Sequence, residues 1–237
     1  MADQLTVEQR QTALNAIASE IAVCTKCPLH VGRTKAVPGA GPITAEIMFI
    51  GEGPGFNEDK QGLPFVGQSG HFLEQLLTLI GLTRNDVFIT NVVKCRPPEN
   101  RDPEPLEIDT CTSNYLFRQI ELINPKVIAT LGRFSMGLFF PKAKITQIHG
   151  QPKKENGRVY LPLFHPAAVL RNMAVLKPQA EADFKKIPQL LADIKKSQTA
   201  APTGGSKGGD KGSAGGGGSV KPDDKAKDAP PTQLSLF

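Results

Sequence analysis

The sequence predicts an α/β domain, doubly wound, with a central, mostly parallel four-stranded sheet flanked by helices. Three observations carry that expectation. Short apolar runs ending in Gly or Pro alternate with stretches of helical periodicity. Strand and helix follow one another as βαβαβα with a last strand. About 195 residues precede an abrupt change of composition, a length that suits one such domain.

Residues 1–21 (MADQLTVEQRQTALNAIASEI) read as an amphipathic helix with neither a basic leader nor a long apolar core, so no secretory signal is expected. AEIMFIG at 45–51 is a first strand closed by a Gly/Pro turn. SGHFLEQLLTLIG at 69–81 has helical spacing and stops at Gly81, a helix terminator. VFITNVVKC at 87–95 is a second strand, 104–123 a helix, KVIATLG at 126–132 a third strand, and 134–140 a short helix. A hairpin with its tip near Glu155, Asn156 and Gly157 leads into the last strand, RVYLPLFH at 158–165, and 178–195 forms a terminal helix. Beyond 197 the chain turns to Gly, Ser, Ala, Pro, Lys and Asp, with too little apolar surface to offset the entropy of ordering. The expected organisation is a folded domain at 1–197, a disordered linker at 198–231 and a short peptide at 232–237.

No apolar run approaches the ~18 residues of a membrane-spanning helix, so a cytoplasmic protein without a membrane partner is expected. The formal net charge of +5 suits a polyanionic partner.

In open α/β sheets, sites form where strand C-termini meet the loops that follow them. Three segments qualify: those after Ile50, around Asn91 and after Phe164. The first reads Gly51-Glu52-Gly53-Pro54-Gly55. It departs from the dinucleotide fingerprint, Pro54 lacks an amide donor, and no acidic residue follows at the ribose position. A backbone amide cradle for a carbonyl-rich heterocycle fits it better.

The chain has four cysteines: Cys24 and Cys27 in Cys-x-x-Cys spacing, then Cys95 and Cys111. The first pair can bring two thiolates to one centre, and the second, on distant segments, closes a four-sulfur site. Zinc and a 4Fe-4S cluster both fit that spacing.

With these residues in place, the sequence resembles the family 4, iron-sulfur uracil-DNA glycosylases. The motifs are GEGPGFNEDKQGLPFVGQSG (51–70), ITNVVKCRPPENRDPEP (89–105) and HPAAVLRN (165–172), which together with the four cysteines stand in the family's order. The resemblance implies a uracil-DNA glycosylase-like fold and a uracil pocket at the C-terminal edge of the sheet. It implies a 4Fe-4S cluster on Cys24, Cys27, Cys95 and Cys111, and so decides between iron-sulfur and zinc. It also implies base excision repair: uracil is flipped from single- or double-stranded DNA and its N-glycosidic bond hydrolysed, leaving an abasic site.

Such a pocket has chemical reasons for these residue types. The extruded base needs a fitted cavity, and the resemblance makes Phe65 its stacking platform. The Asn91 amide can donate to uracil O4 and accept from N3–H, a pattern that cytosine inverts. His165 can donate to O2, where negative charge builds as the bond breaks. Gly51, Glu52 and Gly53 line the cradle, with Glu52 available to orient water, because Gly53 stands where related classes place an Asp base. Glu58 and Asp59 are further sources of local charge. Val169 or Leu170 would fill the gap left by the flipped base, with Arg171 on phosphate. Lys60 and Lys94 are expected as phosphate contacts or solvated charges, and His149 on the surface of the hairpin. No lysine sits where Schiff-base chemistry would need it, so a monofunctional enzyme is expected. The chain runs directly from the Asn strand into Cys95-Arg96-Pro97-Pro98, without the inserted basic loop of covalently trapping relatives.

The last residues, Gln233, Leu234, Ser235, Leu236 and Phe237, resemble the pentapeptide by which bacterial proteins dock on the DNA polymerase sliding clamp. A linker of about 35 residues spans roughly 30–35 Å, enough to reach clamp and lesion together. The expected protein is a monomer in the bacterial cytoplasm, associated with the nucleoid. Two other classes remain open from sequence: an iron-sulfur module that binds uracil or single-stranded DNA without turnover, and a clamp-associated electron carrier.

Overall fold

The computed structural model describes residues 5–199. The peptide at 232–237 and the expected linker, save its first two positions, lie outside the described residues. In chain order the elements are α1 (Val7–Ala22), β1 (Ile47–Gly51), α2 (Phe56–Gln61), α3 (Gln68–Leu79), β2 (Phe88–Asn91), α4 (Pro105–Cys111), α5 (Phe117–Ile123), β3 (Val127–Leu131), α6 (Arg133–Gly137), α7 (Ile145–Ile148), β4 (Lys153–Glu155), β5 (Arg158–Leu163), α8 (Pro166–Arg171), α9 (Met173–Phe184) and α10 (Ile187–Thr199).

The strands form one sheet in the order β2-β1-β3-β5-β4. The first four are parallel, and β4 pairs antiparallel with β5 through the expected hairpin. Five strands therefore replace the expected four, because the ascending arm of the hairpin joins the edge. That edge strand is three residues long, with Lys154 and Glu155 exposed, which discourages pairing with another chain.

Alternation along β1 shows why the sheet is covered on both faces. Ile47 and Phe49 belong to one apolar cluster with Phe72, Leu73 and Leu77 of α3, Phe184 of α9 and Ile187 of α10. Met48 and Ile50 belong to the other, with Leu14, Ile17 and Ile21 of α1 and Ile120 of α5. Side chains two apart on a strand share a face, so a continuous apolar run feeds two cores.

Several boundaries moved. The second strand stops at Asn91 rather than at position 95, and the helix expected over 104–123 is interrupted by a π-turn at Thr112–Leu116. The terminal helix begins at Met173, carries Pro178 inside its first half, and gives way to a separate α10 that ends at Thr199. The folded chain thus reaches two residues past the composition change. Among the described residues, no helix is long and apolar enough to cross a membrane.

Candidate active site

A cleft of about 450 Å³ opens at the C-terminal edge of the sheet, within the range of small-molecule sites. Its lining draws on all three predicted segments: Glu52, Gly53 and Phe65, then Asn91, then His165 and Arg171. Parallel register sets this convergence, since Gly51 at the end of β1 lies opposite Asn91 at the end of β2.

Gly51 is required by close approach. A Cβ there would lie 2.4 Å from Asn91 Oδ1 and 2.6 Å from Phe65 Cζ. Those two side chains therefore meet over the strand end, and the Phe65 ring centroid is 5.8 Å from that of His165. Asn91 is buried, and its Oδ1 has no hydrogen-bond partner. An orphaned buried acceptor costs about 1–3 kcal/mol and is retained where a ligand completes it.

Phe65 has φ 53°, a left-handed backbone that a bulky side chain rarely adopts. Long-range contacts hold it there. Val66 N–H and Gly67 N–H donate to Glu58 Oε1 at 2.8 and 2.9 Å, and Gly55 N–H to Oε2 at 3.1 Å. Arg84 Nη1 donates to Phe65 O at 2.7 Å, and Nη2 to Pro64 O. A Cβ at Gly70 would sit 1.8 Å from Phe65 O, so only glycine fits below the loop.

His165, two residues beyond the end of β5, is the N-cap of α8, and Ala167 N–H donates to its Nδ1 at 3.1 Å. That bond makes Nδ1 the acceptor and leaves the proton on Nε2. Burial, helped by the nearby Arg171 charge and opposed by Glu58, lowers its pKa from 6.5 to about 4. The imidazole is a neutral donor at neutral pH. Glu52 has its carboxyl pKa raised by burial and by Asp102, against Arg133 and Arg171.

Three expectations are corrected here. Val169 is 0 % exposed within the α3-side core, because α8 turns it inward, so it cannot enter DNA. Leu170 is half-buried and Arg171 exposed. Lys94 is neither a phosphate contact nor solvated: it is 1 % exposed, and its Nζ donates to Thr90 Oγ1 at 2.6 Å and to Asn91 O at 2.7 Å. His149 is no hairpin surface residue: its Nδ1 lies 2.6 Å from Asp183 Oδ2, and its ring packs on Phe164, centroids 4.4 Å apart. The pair buttresses the strand end that carries His165.

Other lining residues were not foreseen. Asn100 and Arg101 also line the cleft, with Arg101 held by both oxygens of the buried Glu107. The Gly55-to-Glu58 spacing, N-cap to N3 of a capping box, was the legible sign of Glu58's structural role. The backbone partners of Arg84, Phe65 O and Pro64 O, are brought near only by folding.

All four cysteines are free thiols, and all line one cavity with Ile21, Leu29, Lys94, Thr110 and Tyr115. Burial raises the thiol pKa values of Cys27 and Cys95, and that of Cys111 to about 11. Donors nevertheless face the sulfurs: Arg33 Nη1 at 3.2 Å from Cys95 Sγ, and Lys26 N–H at 3.5 Å from Cys24 Sγ. Among the described residues no three His, Cys, Asp or Glu side chains converge on a single-ion position. Four soft sulfurs in an apolar cavity, with N–H donors and a buried cation beside them, suit a polynuclear, anionic iron-sulfur group.

Comparison with known proteins agrees with this geometry. The family model of the uracil DNA glycosylase superfamily matches residues 38–191. The type-4 uracil-DNA glycosylase of Sulfurisphaera tokodaii is 50% identical over 194 residues, 78% of this chain and 87% of the relative. That of Archaeoglobus fulgidus is 45% identical, covering 75% and 93%, and that of Thermotoga maritima 45% identical, covering 69% and 86%. With a family model matched over residues 38–191 and relatives 45–50% identical over most of its length, the chain belongs to the type-4 group of the uracil DNA glycosylase superfamily.

Proposed function

We propose that the protein excises uracil from DNA as a monofunctional glycosylase, hydrolysing the N-glycosidic bond and leaving an abasic site for base excision repair. The observation that carries this reading is the buried, partnerless Oδ1 of Asn91, a residue that lines one cleft with Phe65 and His165. Uracil N3–H completes that acceptor, and the amide nitrogen donates to O4. Cytosine would present an acceptor at N3 and a donor at C4, leaving both groups unpaired.

Phe65 stacks on the extruded ring. As the C1′–N1 bond breaks, its electron pair moves onto the ring, and His165 Nε2–H donates to O2, stabilising the departing anion without giving up the proton. Water adds to C1′, oriented by the Glu52 carboxylate, and the proton it loses balances the uracil anion. Gly51 and Gly53 leave room for the ring beside the backbone. Leu170 fills the vacated stack and Arg171 takes a phosphate.

Cys24, Cys27, Cys95 and Cys111 hold a 4Fe-4S cluster, which when bound supplies a structural tie between the N-terminal segment and the Asn91 strand end. The segment Gln233 to Phe237, on its Gly/Ser/Lys/Asp linker, docks on the sliding clamp and concentrates the enzyme at replicating DNA, in the cytoplasm at the nucleoid, as a monomer.

The test is release of free uracil from an oligonucleotide with a single uracil, comparing the parent with Asn91→Ala and reading abasic sites by alkaline strand cleavage. Cleavage by the parent alone supports the assignment. Retained DNA binding without release by either would leave a binding module.

A further inference from the structure

Phe56, at the start of α2, is 51 % exposed. Val23, Val31 and Leu106 are also exposed among the described residues, and an exposed apolar side chain alone is ordinary on a protein surface. Phe56 differs in two respects. It lines the rim of the cleft, and two cations flank its ring, Lys60 Nζ at 4.3 Å and the Arg96 guanidinium carbon at 5.3 Å from the centroid. Lys60 lies four residues on, one turn along the same helix face, and is exposed. Arg96 comes from the loop after Cys95 and is fixed by donation from Nε to Asn100 Oδ1 at 2.8 Å.

An exposed aromatic with two cations beside it, at the edge of a site that takes a flipped nucleotide, has the parts of a single-strand contact: a π-face for a base and charges for its phosphates. We propose that Phe56 is the stacking platform for a base flanking the extruded uracil, with Lys60 and Arg96 on the adjoining phosphates. The proposal rests on the glycosylase reading and extends it from the uracil to its neighbour. Magnitudes favour the exchange this needs. Stacking of a base on an aromatic face is stronger than an exposed cation–π contact. Lys60 therefore leaves the ring face for a phosphate when DNA arrives, while Arg96, anchored to Asn100, stays in place.

The experiment couples protein and DNA changes. Dissociation constants are measured for oligonucleotides carrying a hydrolysis-resistant 2′-fluoro-2′-deoxyuridine, with natural bases on both flanks or with an abasic spacer on the 5′ or the 3′ side. For the parent, one of the two spacers weakens binding about ten-fold. Phe56→Ala binds the natural oligonucleotide about ten-fold more weakly and is insensitive to that spacer, and Phe56→Trp restores the sensitivity. Lys60→Ala lowers the dependence of log K on log salt by about 0.7. Equal spacer sensitivity in parent and Phe56→Ala would overturn the platform. Uracil release by the parent from the matched deoxyuridine oligonucleotide is read alongside. Its absence would overturn the glycosylase reading and the proposal with it, whereas release with flank-insensitive binding overturns the platform alone.

Discussion

Glu58 fastens the chain beyond Phe65: its Oε1 accepts from Val66 N–H at 2.8 Å and from Gly67 N–H at 2.9 Å, while the aromatic residue itself keeps φ 53°. The carboxylate sits on the first turn of α2, so one side chain joins the turn at Gly55 to the loop that follows Phe65. Glu58→Ala leaves donors unpaired and frees a strained loop. The expected outcome is a loss of about 1–3 kcal/mol of stability, a raised KM for uracil DNA and weaker inhibition by free uracil. Glu58→Gln, which keeps one acceptor oxygen, falls between. Unchanged KM in Glu58→Ala at full folding would show that Phe65 needs no such brace.

His165 sets a pH signature. Its folded pKa of about 4 lies below the ordinary 6.5, so the unfolded chain binds its proton first as pH falls. Its neutral, buried form contributes stability that is fully present above 6.5 and is lost as pH falls from 6.5 towards 4. The His165→Asn variant is expected to lose less stability than the parent across that window, followed by denaturant midpoints. Its excision rate is expected to fall about 10²–10³-fold. The parent's rate profile should show no inflection near 6.5 that disappears in the variant.

The cysteine set predicts a dependence on iron. Cys95→Ser is expected to lose iron, acid-labile sulfide and visible absorbance. It should cost about 3 kcal/mol or more, roughly 6–12 °C in Tm. Asn91→Ala should retain all three cluster signals. Full iron content in Cys95→Ser would remove that residue from the ligand set.

Neighbours on α8 divide their tasks. Val169→Ala opens the core and should cost about 1–3 kcal/mol of stability, whereas Leu170→Ala should slow excision from duplex DNA more than from single strands. Arg171→Ala should lower the salt dependence of DNA binding by about 0.7–0.9. Equal effects of Leu170→Ala on both DNA forms would exclude the wedge.

Four of the five strands, their parallel sense and the three segments that form the cleft were legible because they rest on local signals: apolar runs, turn residues and the spacing of motifs along the chain. So were Asn91 and His165 as neighbours, since each lies at or just beyond a strand end on one edge, whereas Phe65, in the loop between α2 and α3, was placed with them only by the family resemblance. Boundaries were less legible where one pattern served two purposes: apolar Val92 and Val93 are buried and continue the strand's hydrophobicity, although the regular strand has ended at Asn91.

By itself the sequence determined the two-faced sheet, the edge that bears the cleft and the four-sulfur set, because periodicity and residue chemistry are properties of the chain. Only the tertiary structure decided that Val169 faces the core, that Lys94 is buried against Asn91 O, that His149 pairs with Asp183, and that Glu58 and Arg84 hold Phe65 in a left-handed conformation. Each of these depends on which way a side chain points and on which backbone group it meets, often far along the chain, and such pairings exist only once burial has withdrawn water as the competing partner.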